Sequence, residues 1–229
     1  MAALSDPLTV LVDCATRPGR IIARREGVDL QRTVGDRPLG TLASTVEELL
    51  DGSGIELLAL VTGPGPLLPL RSAAAFVRLL AWSRGLPVVS FRSLDPLADD
   101  LAAALDVTQR GLILEPLGRN KVLQVEVRSG QAQPIDRVSV VAPTDLSIRR
   151  DDLVAGQLRE EGRVRGAGVF ERGVSSESSL LDYAVALWRC GAVSDIGELR
   201  AWYVKDSGVR RGFDVRLADG SIGRVGRPT

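Results

Sequence analysis

The first half of the chain strings aliphatic runs and helical segments together in one order: strand, strand, strand, helix, strand, helix, strand, helix. Few architectures accommodate that order. Leu8 to Val12 is a short apolar run ending at Asp13, and Cys14-Ala15-Thr16-Arg17-Pro18-Gly19 follows as a polar turn. Arg20 to Arg25 and Val28 to Val34 predict two more strands, joined tightly at Glu26-Gly27. Leu42, Val46, Leu49 and Leu50 recur at helical spacing, and Asp51-Gly52 closes that segment. Ile55 to Val61 predicts a buried strand, and Thr62-Gly63-Pro64-Gly65-Pro66 a stiff turn. A helix is predicted from about Pro69, whose missing N–H costs nothing in a first turn, to Arg84, with Gly85 just past its end. Leu86 to Ser90 predicts another strand, and Ser93 caps a helix running to about Leu105.

Three antiparallel strands followed by alternating helix and strand is the ribonuclease-H-like arrangement found in each lobe of actin-like ATPases. The expected fold is therefore α/β, with two such lobes of mixed sheet flanked by helices and the second lobe reduced. Asp106 to Gln109 is the expected boundary, giving an N-terminal lobe over 1–107 and a C-terminal lobe over 108–229. In the second lobe, strands are predicted near Leu112–Glu115, Val122–Arg128 and Gln131–Val141, and helices near Leu146–Glu161 and Ser178–Cys190. From Phe213, alternating residues around Asp219-Gly220 predict a terminal hairpin.

Chemistry is bounded by an absence. The chain has no histidine, so Ser-His-Asp and Cys-His catalysis lack their imidazole, and the commonest zinc and non-heme iron sites lack their usual ligand. A carboxylate-only magnesium site, or phosphate chemistry done by positioning, stays open. Acidic and basic residues balance at 29 each, so no global field draws the chain to nucleic acid or to an anionic membrane. The two cysteines, Cys14 and Cys190, each adjoin an apolar segment and are expected as buried, reduced thiols. The opening MAALSDPLTV has no signal-peptide pattern and no apolar run is long enough to span a bilayer, so the expected location is the cytoplasm.

Leu57 to Ala98 resembles the signature region of the TsaB family, also called YeaZ. There, a Gly-Pro-Gly-Ser-Phe-Thr-Gly-Leu-Arg run leads into an alanine-rich helix, then Gly-Ile-Pro and a strand into Ser-Ser-Leu. Gly63, Pro64, Gly65, Leu70, Arg71, Gly85, Pro87, Ser93 and Leu94 fall in register without a gap. Leu11-Val12-Asp13-Cys14-Ala15-Thr16 is similar to the family's opening, and Trp202-Tyr203-Val204-Lys205 faintly similar to its terminus. The chain departs from the pattern at Pro66-Leu67-Leu68-Pro69, where two hydroxyls and a glycine are lost, and at Pro116-Leu117-Gly118, which leaves Arg119 as a remnant. The resemblance implies two actin-like lobes and pairing with the catalytic relative TsaD. With the ATPase TsaE, that assembly installs N6-threonylcarbamoyladenosine in tRNA. The implied role is a non-catalytic scaffold that meets tRNA only indirectly, needs no cofactor or metal of its own, and pairs with a TsaD-like protein or a second copy of itself.

Candidate site residues fall into two groups. Asp13, at the end of the first strand, either binds a magnesium nucleotide or forms a turn, and Thr16 either contacts phosphate or supplies a turn hydroxyl. Gly63 and Gly65 either turn N–H groups to an anion at the following helix or form a rigid turn; the loop is not a Walker A motif, and its prolines remove donors. Arg71 serves phosphate, a partner carboxylate, or solvent. The partner interface is expected from Leu42, Val46 and Leu49 on the first helix and Leu70, Ala73, Ala74, Val77 and Ala81 on the second. There, small side chains either let another helix approach, with Phe76 and Trp82 as anchors, or pack the helix against the chain's own sheet. The competing assignment is a small-molecule kinase or ATPase built on Asp13; a protease lacks a supporting nucleophile and base.

Overall fold

Thr9–Asp13 (β1) is aliphatic apart from its ends and is buried along its whole length, which suits the centre of a sheet covered on both faces. The computed structural model describes residues 6–34, 40–117, 120–130, 135–158, 160, 164–170, 177–202, 213–216 and 222–225. In it β1 pairs antiparallel with Gly19–Arg25 (β2) and parallel with Leu57–Val61 (β4). Val28–Val34 (β3) extends the sheet antiparallel beyond β2, and Val88–Phe91 (β5) extends it parallel beyond β4, in the order β3-β2-β1-β4-β5. The β2–β3 connection is the predicted two-residue turn: Glu26 and Gly27 have φ of 51° and 78°, the positive pair whose twist suits a tight hairpin.

Alternation along the strands divides the core into two layers. Val10, Val12, Leu58 and Leu60 face Leu42–Leu50 (α1) and Leu67–Arg84 (α2). Leu11, Leu57, Ala59 and Val61 face Glu177–Arg189 (α4), through Leu180, Leu181, Ala184 and Val185. Arg24 on β2 ties the second layer down. Its guanidinium forks onto Asp29 of β3 at 2.7 and 2.9 Å and also donates to Asp182 of α4.

The second sheet repeats the first. Gly111–Pro116 (β6), Val122–Val127 (β7) and Ile135–Val141 (β8) form an antiparallel meander, and Leu153–Ala155 (β9) and Gly168–Val169 (β10) add parallel strands, in the order β10-β9-β6-β7-β8. Asp95–Ala104 (α3) covers one face so closely that a Cβ on Gly111 would lie 2.9 Å from both Leu101 and Leu105. The other face holds Leu112, Leu114, Val122 and Val154 under Leu146, Ile148, Leu158 and Ala167. Where α1 joins β3 to β4, the second sheet has only a 3-10 turn at Pro143–Asp145 and loop. The fold is thus two ribonuclease-H-like mixed sheets flanked by helices, the second reduced.

Two expectations change. The chain divides into Met1–Ser93 with Ser175–Val204, and Leu94–Val174 with Lys205–Thr229, so the expected boundary at 107/108 falls inside the second unit. Leu146–Leu158 is loop and strand, because Leu153–Ala155 is drawn into the sheet beside β6. Of the strand predicted at Gln131–Val141, Ile135–Val141 is extended, and residues 131–134 lie outside the described residues. Phe213–Arg216 (β11) and Ile222–Val225 (β12) pair antiparallel as the terminal hairpin, while the Asp219-Gly220 turn, Tyr203-Val204-Lys205 and Arg119 lie outside the described residues.

Candidate functional site

The nucleotide candidates gather at one end of the first sheet, and the chain's own backbone and charges occupy them. Asp13 is 1% exposed; its Oδ2 accepts from Arg20 Nε at 3.0 Å and its Oδ1 from the Ala15 N–H at 2.9 Å. Its charge is balanced and its turn closed internally. Thr16 is exposed and donates to the Pro18 carbonyl at 3.3 Å. A Cβ on Gly65 would lie 2.5 Å from the Ala15 oxygen, and one on Gly63 would lie 1.9 Å from the Trp202 oxygen. Both glycines therefore serve close backbone approach, with the Trp202 carbonyl packed on Gly63. The strap holding that carbonyl is anchored by Ser194 N–H to Val88 O at 2.7 Å, by buried Leu199, and by Trp202 N–H to Thr62 O at 2.7 Å. Arg92 stacks over the Trp202 ring at 5.9 Å.

Arg71 stands apart from this cluster, on the exposed face of α2. The eight interface candidates take the second of their two readings. Leu42, Val46, Leu49, Leu70, Ala73, Ala74, Val77 and Ala81 are all between 0 and 6% exposed, within the first unit's own core. The small side chains let α2 approach its own sheet rather than a second protein. Phe76 is partly buried against the same core.

The opposite face of α2 is the one left open. Leu68 is 74% exposed, Leu79 63% and Trp82 77%, and Ala75 is exposed between them. With half-buried Ser72, these residues recur as 68, 72, 75, 79 and 82, the alternating four- and three-residue spacing of a coiled-coil seam. Arg71 and Arg78 flank the stripe, and the neighbouring helix α1 exposes Glu47 and Glu48. Large apolar side chains on one exposed helix face are the usual mark of a docking surface. Sequence reasoning singled out Trp82 but not the exposed stripe it belongs to; the heptad spacing was the available signal.

Beside α4 lies an open cavity of about 470 Å³ lined by Asp6, Arg24, Asp182, Val185, Ala186, Arg189 and Cys190. Its charges compensate one another, with Arg189 held to Asp6 at 2.7 Å and Arg24 to Asp182. Cys190 is exposed there, against the expectation of a buried thiol, because the last turn of α4 runs past the core. Cys14 is buried, and burial together with Asp13 pushes its thiol up to about 12, so it stays protonated and unreactive. Tyr183 and Trp188 pack against the second layer, with the Tyr183 ring edge-on to Phe91 at 5.1 Å.

No described cluster of His, Cys, Asp or Glu is arranged to hold a metal ion, and no described helix is long and apolar enough to cross a membrane. No protein-family model matches the sequence, and no curated protein does. Among solved structures, YeaZ from Pseudomonas aeruginosa superposes with a TM-score of 0.58 at 20% identity, over 85% of this chain and 100% of that one. A crystal structure of a protein described as similar to the peptidase YeaZ from Pseudomonas aeruginosa gives 0.61 at 19% identity, over 87% of this chain and 100% of that one. At these identities the likeness speaks to architecture, and the chain has the YeaZ fold.

Proposed function

We propose that this chain is a non-catalytic scaffold subunit that docks a TsaD-like protein through the outer face of α2, in an assembly that threonylcarbamoylates tRNA with a TsaE-like ATPase. The observation that carries it is the exposed seam of Leu68, Ala75, Leu79 and Trp82. The YeaZ fold, the gapless signature region and the missing imidazole all support the same role. A kinase or ATPase assignment rested on Asp13, whose carboxylate is balanced by Arg20 and closes its own turn. The scaffold would act in the cytoplasm, meet tRNA only through its partner, and use the same seam for a second copy of itself when the partner is absent.

The test is association in solution. The purified chain mixed with a TsaD-like protein is expected to form a complex with Kd near or below about 1 μM, read by calorimetry. Trp82→Asp with Leu79→Asp is expected to weaken it by a factor of about 100 or more, since two of the large apolar anchors leave the seam. A mixture that shows no complex at tens of micromolar, or a double variant that binds unchanged, defeats the assignment.

A further inference from the structure

The two sheets repeat one another strand for strand, and so do two buried carboxylates. Counting from the residues that pair with the first positions of β4 and β9, Asp13 is the fifth residue of β1 and Glu115 the fifth of β6. Asp13 lies across from Arg20 on β2, and the guanidinium balances its charge. Glu115 lies across from Leu123 on β7, so the cation of the first sheet is replaced by an aliphatic side chain. Glu115 is nonetheless only 9% exposed.

What Glu115 holds is the turn after β9. Its Oε1 accepts from the Gln157 N–H at 3.1 Å, and Leu158 N–H donates to Leu114 O at 3.0 Å. Gly156 passes over the end of β6 with φ of 94°; a Cβ there would lie 2.5 Å from Leu114 O and 2.9 Å from Glu115 Oε1. The carboxyl thus anchors a turn that crosses it at close range.

We propose that a proton on Glu115 takes the part that Arg20 plays for Asp13, and that its loss releases the Gly156–Leu158 turn. Among the described residues the surroundings offer no substitute. On β7 the residues of Glu115's face are Leu123, Val125 and Val127, while Glu126 is on the other face, 3.6 Å from Arg110. β9 contributes no titratable residue, and Asp152 before it is held by Arg110 at 2.6 Å. α3 buries Pro96, Leu97, Ala98 and Leu101, leaving Asp99 exposed and Asp95 and Asp100 at its half-buried margins. Lys121 stands two residues before Leu123 and is half-buried. What acts on the carboxyl is burial, which pushes it from an ordinary value near 4.5 up to about 7, against a smaller pull from the Gln157 N–H.

The sign follows from linkage. The anchored turn binds the proton more tightly than a solvated carboxyl does. Anchoring is therefore strongest below pH about 4.5, weakens as pH rises to about 7, and is level above that. Hydrogen exchange at the Gln157 amide, corrected for intrinsic chemistry, reads the release. Its protection is expected to fall between pH 5 and pH 8, by up to roughly fiftyfold in the limit where the turn supplies all of the burial, and to stay high at both in Glu115→Gln, which keeps the acceptor and cannot ionise. A carbon-13 titration of the Glu115 carboxyl in the unaltered chain is expected to show a midpoint near 7. Protection that does not change with pH, an equal fall in the glutamine variant, or a midpoint near 4.5 overturns the proposal.

Discussion

A Gly63→Ala chain is expected to lose its folded first unit, with the unfolding free energy lowered by more than about 4 kcal/mol. The new Cβ would stand 1.9 Å from the Trp202 oxygen, 3.0 Å from its carbonyl carbon and 3.2 Å from Leu70 Cδ1, at a backbone φ of 134°. None of these gives way easily. Trp202 is bonded to Thr62 at 2.7 Å, Leu199 upstream is buried, and Leu70 is 1% exposed. Gly65→Ala meets the Ala15 backbone at 2.5 and 2.6 Å and is expected to behave alike. Gly54→Ala, whose Cβ meets nothing within 4 Å, is the control and is expected to change stability by less than about 0.5 kcal/mol. Urea melts decide the matter. A Gly63→Ala midpoint equal to that of the parent chain would show that the strap does not pack on this turn.

Val77→Asp is expected to cost more than about 4 kcal/mol, whereas Leu79→Asp, two residues on, is expected to leave the melting temperature within a few degrees. Val77 is fully buried between α2 and its own sheet, and Leu79 is 63% exposed on the far side of the same helix. A carboxylate at Val77 would ionise without a partner in the core, and Ala74→Arg is expected to be as damaging from a site 6% exposed. Losing association through either change would say nothing of docking, because the subunit itself would be gone. The outer stripe is therefore the place to probe assembly, and a folded Val77→Asp chain would be at odds with the layer assignment.

The meander was legible in the sequence because its punctuation is chemical: Glu26-Gly27 can only be a tight turn between Arg25 and Val28, and Gly85 marks the end of α2 through its left-handed φ of 64°. The Gly63-Pro64-Gly65 turn was equally plain, but its purpose was not. Ala15 and Trp202 approach it from distant parts of the chain, and no local pattern announces a carbonyl arriving from 139 residues away (202 − 63). Which face of α2 turns inward was left open for a related reason. Apolar side chains lie on both sides of this helix, so a 3.6-residue period has no single preferred direction, and only the sheet decides that the alanines go inward. The short strand at Leu153–Ala155 escaped notice because three residues carry too little alternation to oppose a helical pattern. Glu115 gave no sign at all, since burial opposite an aliphatic residue is a property of what lies across the sheet.

α4 completes the first unit from a position far along the chain. Its first sheet is laid down by Phe91, yet Leu11, Ile22, Leu57 and Val61 have no cover until Glu177–Arg189 has been made. On a ribosome adding 5–20 residues each second, the 98 residues in between (189 − 91) keep that oily surface waiting for roughly 5–20 s. Nascent chains of this topology are accordingly clients for chaperone capture during synthesis, and a fragment ending near residue 107 is a sticky half-product rather than a miniature of the whole.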